Sequence, residues 1–167
     1  MERNGDDHIE TVERAMVAIR RSQSRRTLAR LAADRREAGS GGGPETAATA
    51  APVAGAEVLD VIEAAEDAGD AVTVTGVATA LNIDQPRASK LVAAAVAAGL
   101  VRREADQADG RRALLVRTPA GRRLSEEIHA FRQRIYAEAM SGWPAADRAE
   151  FARLLARFVE SLGTVTR

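Results

Sequence analysis

Cysteine is absent from the 167-residue chain. That excludes disulfides, thiolate metal centres and thiol redox sensing. Histidine occurs twice, as His8 and His129, so a histidine-rich metal site is not expected, and neither is a cofactor. Aromatic residues make up 3%, and the abundance of alanine favours helix over sheet. No apolar run approaches the ~18 residues that mark a membrane span, and no secretory apolar segment is evident; a soluble cytoplasmic protein without a membrane partner is expected. The common enzyme signatures are missing too: GxGxxG, the P-loop and HExxH do not occur. Glu126, Glu127 and His129 could be drawn as an acid/base cluster, but neighbouring residues do not share a helix face. Glu126 and His129, three apart, read more simply as a surface pair. No catalytic residue is expected.

Net charge is also lacking, but its distribution is not flat. The formal sum is zero. Arg14 to Arg36 holds eight arginines and one acid, Asp34. Glu45 to Pro86 holds eight acids and no base. Arg87 to Arg123 reverses the sign, with nine bases and three acids. A local positive excess of this kind is the footprint of a polyanionic partner. With 46% hydrophobic residues the chain should fold, and 167 residues suffice for one domain with a real core, or for one domain plus an appended stem.

Hydrophobic periodicity predicts a helix from Asp6 to about Glu37, interrupted near Arg20 to Thr27. Residues 38–56, with Gly41-Gly42-Gly43, read as a flexible linker. A short helix follows around Val58 to Ala65, ending near Gly69. Val72 to Val74 reads as a strand, with Thr75 as N-cap of a short helix to Leu81. Asn82-Ile83 forms a turn. Asp84 caps the next helix, Pro86 occupies its first turn and Gly99 stops it. Leu100 to Arg103 and Ala113 to Arg117 form a hairpin. Thr118-Pro119 opens a long helix, Gly142-Trp143-Pro144 breaks it, and a strongly amphipathic last helix carries Phe151, Leu154, Leu155, Phe158, Val159 and Leu162.

The helix from Asp84 to Ala98 has one apolar face and one face bearing Gln85, Arg87, Ser89 and Lys90. A helix of this kind, after a short helix and a tight turn, fits a DNA major groove; arginine pairs bidentately with guanine and glutamine with adenine. The hairpin that follows carries Arg103 on its first strand and Arg111 and Arg112 at its tip. Asp109 and Gly110 shape the turn, with Asp109 paired to one of the two tip arginines. A guanidinium there can enter a minor groove or reach phosphate.

In this order and spacing the pieces resemble the MarR family of winged-helix regulators. They are Val77-Ala78…Leu81-Asn82-Ile83, Arg87-Ala88-Ser89-Lys90-Leu91-Val92, Gly99-Leu100-Val101-Arg102-Arg103, Asp109-Gly110-Arg111 and Thr118-Pro119-Ala120-Gly121. The resemblance implies a homodimer on a palindromic site, its first and last helices forming the interface. It places Arg87, Ser89 and Lys90 on the recognition helix and Arg111 at the wing tip. It also implies a small-molecule effector. Three departures stand out. Arg117 occupies a usually apolar position, which would allow a wing register shifted by one with Arg112 at the tip. The linker is long. Ala95 replaces a larger residue, so looser packing is expected there.

The fold expected is mainly α (α+β): an N-terminal dimerisation helix over 6–37, the linker over 38–56, a winged helix-turn-helix domain over 57–117 and C-terminal dimerisation helices over 118–163. The function expected is sequence-specific binding of double-stranded DNA by a ligand-responsive repressor. The alternatives are a winged-helix module for protein–protein assembly and a small-molecule-binding protein with little DNA binding.

Overall fold

The computed structural model describes residues 3–22, 51–107, 110 and 112–165. Its elements are α1 (Arg3–Ser22), α2 (Ala51–Ala68), α3 (Val74–Leu81), α4 (Gln85–Ala97), β1 (Val101–Ala105), β2 (Ala113–Arg117), α5 (Pro119–Ala139) and α6 (Ala145–Val165). They fall into two compact units, Met1–His129 and Ala130–Arg167, divided within α5. The mainly helical winged helix-turn-helix fold expected from the sequence is present. The rest of the predicted 6–37 helix and most of the predicted linker lie outside the described residues.

The first helix of the winged domain, α2, starts inside the stretch expected to be linker. Alanine-rich sequence has high helix propensity, and here tertiary contact supports it. Ala56 is buried, and a Cβ added at Gly55 would lie 3.1 Å from Leu100 Cδ1 and 3.8 Å from Ala95 Cβ. Two small residues thus let α2 and α4 approach closely. Ala95, fully buried, is a point of tight packing rather than the loose spot expected.

Local signals set the next three elements. Leu115 N–H donates to Val72 O at 2.8 Å, so the predicted strand at 72–74 shrinks to a single bridge. The chain leaves that bridge extended at Thr73, whose hydroxyl accepts from Gly76 N. Thr73, not Thr75, is therefore the N-cap of α3. Asn82 ends α3 in the left-handed region at φ 51°. Asp84 Oδ1 then accepts from Arg87 N at 2.7 Å and caps α4, with Pro86 in the first turn as predicted. Gly99, at φ +69°, turns the chain out of α4; that conformation favours glycine.

β1 and β2 pair antiparallel from Val101↔Arg117 to Ala105↔Ala113. The first strand thus starts one residue later than predicted and runs to Ala105. Just before the strand, the Leu100 carbonyl accepts from Thr118 N–H at 3.0 Å, which carries the pairing one step past Val101↔Arg117. The hydroxyl of Thr118 accepts from Gly121 N at 3.0 Å, giving α5 the predicted cap. The core joins Val58, Leu59 and Ile62 of α2 to Val77, Val92, Leu115 and Ile128. α4 packs against α2, α3 and β1, which holds its other face outward.

In the second unit, Gly142 takes φ +85° between α5 and α6. Trp143 packs edge-on against Phe151, with ring centroids 5.5 Å apart. α6 has no buried residue, and Phe151, Leu154, Leu155, Val159 and Leu162 are all exposed. In the first unit, α1 exposes Ile9, Val12 and Ile19.

Candidate nucleic-acid interface

The core side of α4 consists of Ala88, Val92 and Ala95, all buried. On the remaining surface Gln85, Arg87 and Lys90 are exposed and Ser89 is half-buried. Arg103, on β1, is exposed as well. Arg87, Lys90 and Arg103 have no ion pair among the described residues. Gln85 is the exception to this freedom, because its Nε2 donates to Thr75 Oγ1 at 3.3 Å. Pattern reading did not single out Thr75 for this contact. The signal lies in the ten-residue spacing across a helix–turn–helix, which brings two helix starts together.

Apart from Arg103, the described part of the wing pairs its charges locally. Arg102 bonds Glu104. Arg112 Nη1 lies 3.6 Å from Asp106 Oδ2, and Asp106 N–H donates to Arg112 O at 3.0 Å. Arg112 therefore sits at the shoulder where the ladder closes, and among the described residues it pairs with Asp106. Gly110 is an exposed turn residue. Asp109 and Arg111 lie outside the described residues.

Arg117, which stands where an apolar residue is usual, ends β2 opposite Val101. It is buried at the base of β2, and its guanidinium faces the acidic side of α2. Nε and Nη2 donate to Glu66 Oε2 at 3.0 and 2.7 Å, and Nη1 donates to Glu63 Oε1. Burial would lower the Arg117 pKa, but hydrogen bonds and charge from Glu66 and Glu63 outweigh it and raise the group above its ordinary value. A buried arginine is tolerated when its charge is paired and its donors are satisfied. The acids of α2 are thus partly internal counter-ions.

His129 Nε2 lies 3.0 Å from Glu63 Oε2, so its partner is Glu63 and not the predicted Glu126. Asp60, Glu63 and His129 place one imidazole and two carboxylates within 4.8 Å of one another. This set could hold a divalent cation, although Glu63 is already engaged by Arg117 and His129.

Residues 54–112 match the model of the MarR family. Over that stretch the winged domain is similar to the MarR family. No curated protein sequence matches it. Among solved structures, a MarR family protein from Bacillus stearothermophilus is similar at 18% identity and TM-score 0.66, over 98% of this chain and 99% of that one. A MarR transcriptional regulator from Methanosarcina mazei Go1 is similar at 16% identity and TM-score 0.65, over 93% and 99%. S. aureus MepR, solved in complex with DNA, is similar at 21% identity and TM-score 0.50, over 65% and 79%. The MarR architecture places α3 and α4 as the helix-turn-helix and β1–β2 as the wing. Among the described residues no helix is long and apolar enough to cross a membrane.

Proposed function

We propose that the protein is a transcription regulator that binds double-stranded DNA sequence-specifically as a homodimer. The observation that carries this reading is α4. Its start is fixed by the Asp84 cap, its inner face is locked in the core, and Gln85, Arg87 and Lys90 stand exposed. A helix held this way presents its N-terminal side chains to base edges at little ordering cost. Arg103 adds a cation on the wing, and Arg111 and Arg112 belong to the same proposed contact surface, Arg112 shared with Asp106.

The homodimer rests on the exposed apolar faces of α1 and α6. An isologous two-fold pairing covers such faces, and two recognition helices then read a palindrome. Repression and response to a small-molecule effector belong to the same proposal and rest on the family resemblance. So does a cytoplasmic location.

Genome-wide footprinting with the purified full chain tests the reading. It should recover a small set of sites with a shared two-fold-symmetric sequence. Protection without any shared sequence would refute sequence-specific readout.

A further inference from the structure

The turn between α3 and α4 brings Thr75, the second residue of α3, to Gln85, the first residue of α4. Both side chains are exposed. Gln85 Nε2 donates to Thr75 Oγ1 at 3.3 Å. The Thr75 hydroxyl is not occupied with capping, because Thr73 does that work for α3. The Thr75 backbone carbonyl is engaged separately, accepting from Thr79 Oγ1 at 3.1 Å. A hydroxyl has one proton and two acceptor lone pairs. One lone pair takes the Gln85 amide hydrogen. The proton has no acceptor among the described residues, and the side chain is exposed to solvent.

The bond also orients the amide. With one Nε2 hydrogen held by Thr75, Gln85 is left with Oε1 as acceptor and one N–H as donor, side by side. That pair matches the major-groove edge of adenine, which offers the N6 donor and the N7 acceptor. The reversed amide would offer two donors and would suit guanine instead.

We propose that Thr75 is a positioning residue for base readout: its hydroxyl accepts from Gln85, donates to a DNA phosphate, and so sets Gln85 to read adenine. This rests on the DNA-binding reading above. It assigns one base in each half-site to Gln85, and it makes that preference depend on a side chain that touches no base. A neutral hydroxyl releases no counter-ion, so Thr75 leaves the salt dependence of binding alone.

Selection from random duplexes with the purified full chain is the test, run on wild type, Thr75→Val, Thr75→Ser and Gln85→Ala. Wild type should enrich adenine at one position of each half-site by about tenfold or more. Thr75→Val should reduce that preference to about threefold or less, with the melting temperature and the salt slope unchanged; Thr75→Ser should restore it. Gln85→Ala should relax the same position, and adding Thr75→Val to it should cause no further change in the base preference there, as expected for groups that set it as a unit. An adenine preference untouched in Thr75→Val overturns the proposal while DNA binding stands. Guanine at the position that Gln85→Ala relaxes overturns the assigned amide orientation. A wild-type chain that enriches no sequence refutes the underlying DNA reading instead.

Discussion

Arg117 and Glu66 are joined across the base of the wing, 51 residues apart in sequence. The guanidinium gives Glu66 Oε2 two hydrogen bonds, of 3.0 and 2.7 Å, and the Arg117 backbone N–H reaches Glu66 Oε1 at 3.4 Å. With Glu63 on the same guanidinium and His129 on Glu63, one network ties β2, α2 and the middle of α5 together. The wing is therefore anchored at its root by charge as well as by the ladder.

Removing one side of this network should cost more than a surface ion pair does. Arg117→Ala leaves two partly buried carboxylates facing each other, and should lower the unfolding free energy by about 2–4 kcal/mol. Glu66→Ala should cost less, about 1–2 kcal/mol, because Glu63 still compensates the arginine and Glu66 is partly exposed. Urea denaturation followed by circular dichroism measures both. Equal and negligible effects would show that the network contributes nothing to stability.

Gly121 should not tolerate a side chain. A Cβ there would stand 2.1 Å from Leu100 O, a backbone atom that also accepts the Thr118 N–H. Gly121→Ala should cost several kcal/mol or prevent folding of the winged domain, on the order of the largest single-residue effects. Gly163→Ala, in α6 with nothing within 4 Å of the added Cβ, should be neutral or stabilising by up to ~1 kcal/mol. Thermal melts of the two variants should move apart in this direction.

These positions also show what could be read from sequence. Asp84, Pro86 and Gly99 delimit α4 through local chemistry, and Thr118-Pro119 opens α5 in the same way; all four signals were legible. The N-cap of α3 was displaced from Thr75 to Thr73, because the bridge from Val72 to Leu115 decides where the helix begins. That pairing spans 43 residues (115 − 72) and leaves no local trace. Arg117 looked like a misfit because its partners, Glu63 and Glu66, sit on another element. Ala95 looked like a gap because the glycine opposite it, Gly55, lay in a stretch that read as linker. On the interface, the residue types on α4 were legible, whereas the bond that orients Gln85 was not.

The exposed faces of α1 and α6 should make the protein dimeric. Light scattering at micromolar concentration should give twice the 17.7 kDa chain mass. Leu155→Glu combined with Val159→Glu places two charges on the apolar face of α6 and should shift the protein to monomer while the winged domain keeps its far-ultraviolet spectrum. A wild-type monomer would refute the stem; a double variant that stays dimeric would move the interface elsewhere.

The neighbouring arginines Arg111 and Arg112 should differ. Arg112 is shared with Asp106 at 3.6 Å, so Arg112→Ala should weaken DNA binding less than Arg111→Ala does. If Arg111 contacts phosphate in both wings of a dimer, its loss should lower the salt slope by about 2 and affect all sequences nearly alike. Anisotropy titrations over a range of salt concentrations read both quantities. The opposite ranking would place Arg112 at the groove.

The central claim is that α4 reads bases, and Arg87 tests it most directly. Its side chain is exposed and unpaired among the described residues, and its backbone N–H is the one capped by Asp84. Wild type and Arg87→Ala should be titrated onto a duplex recovered by footprinting and onto a scrambled duplex of equal length. Arg87→Ala should lose about 1–3 kcal/mol on the recovered duplex, and much less on the scrambled one, with preference relaxed at one position per half-site. Equal losses on both duplexes, or none on either, would contradict base readout by α4.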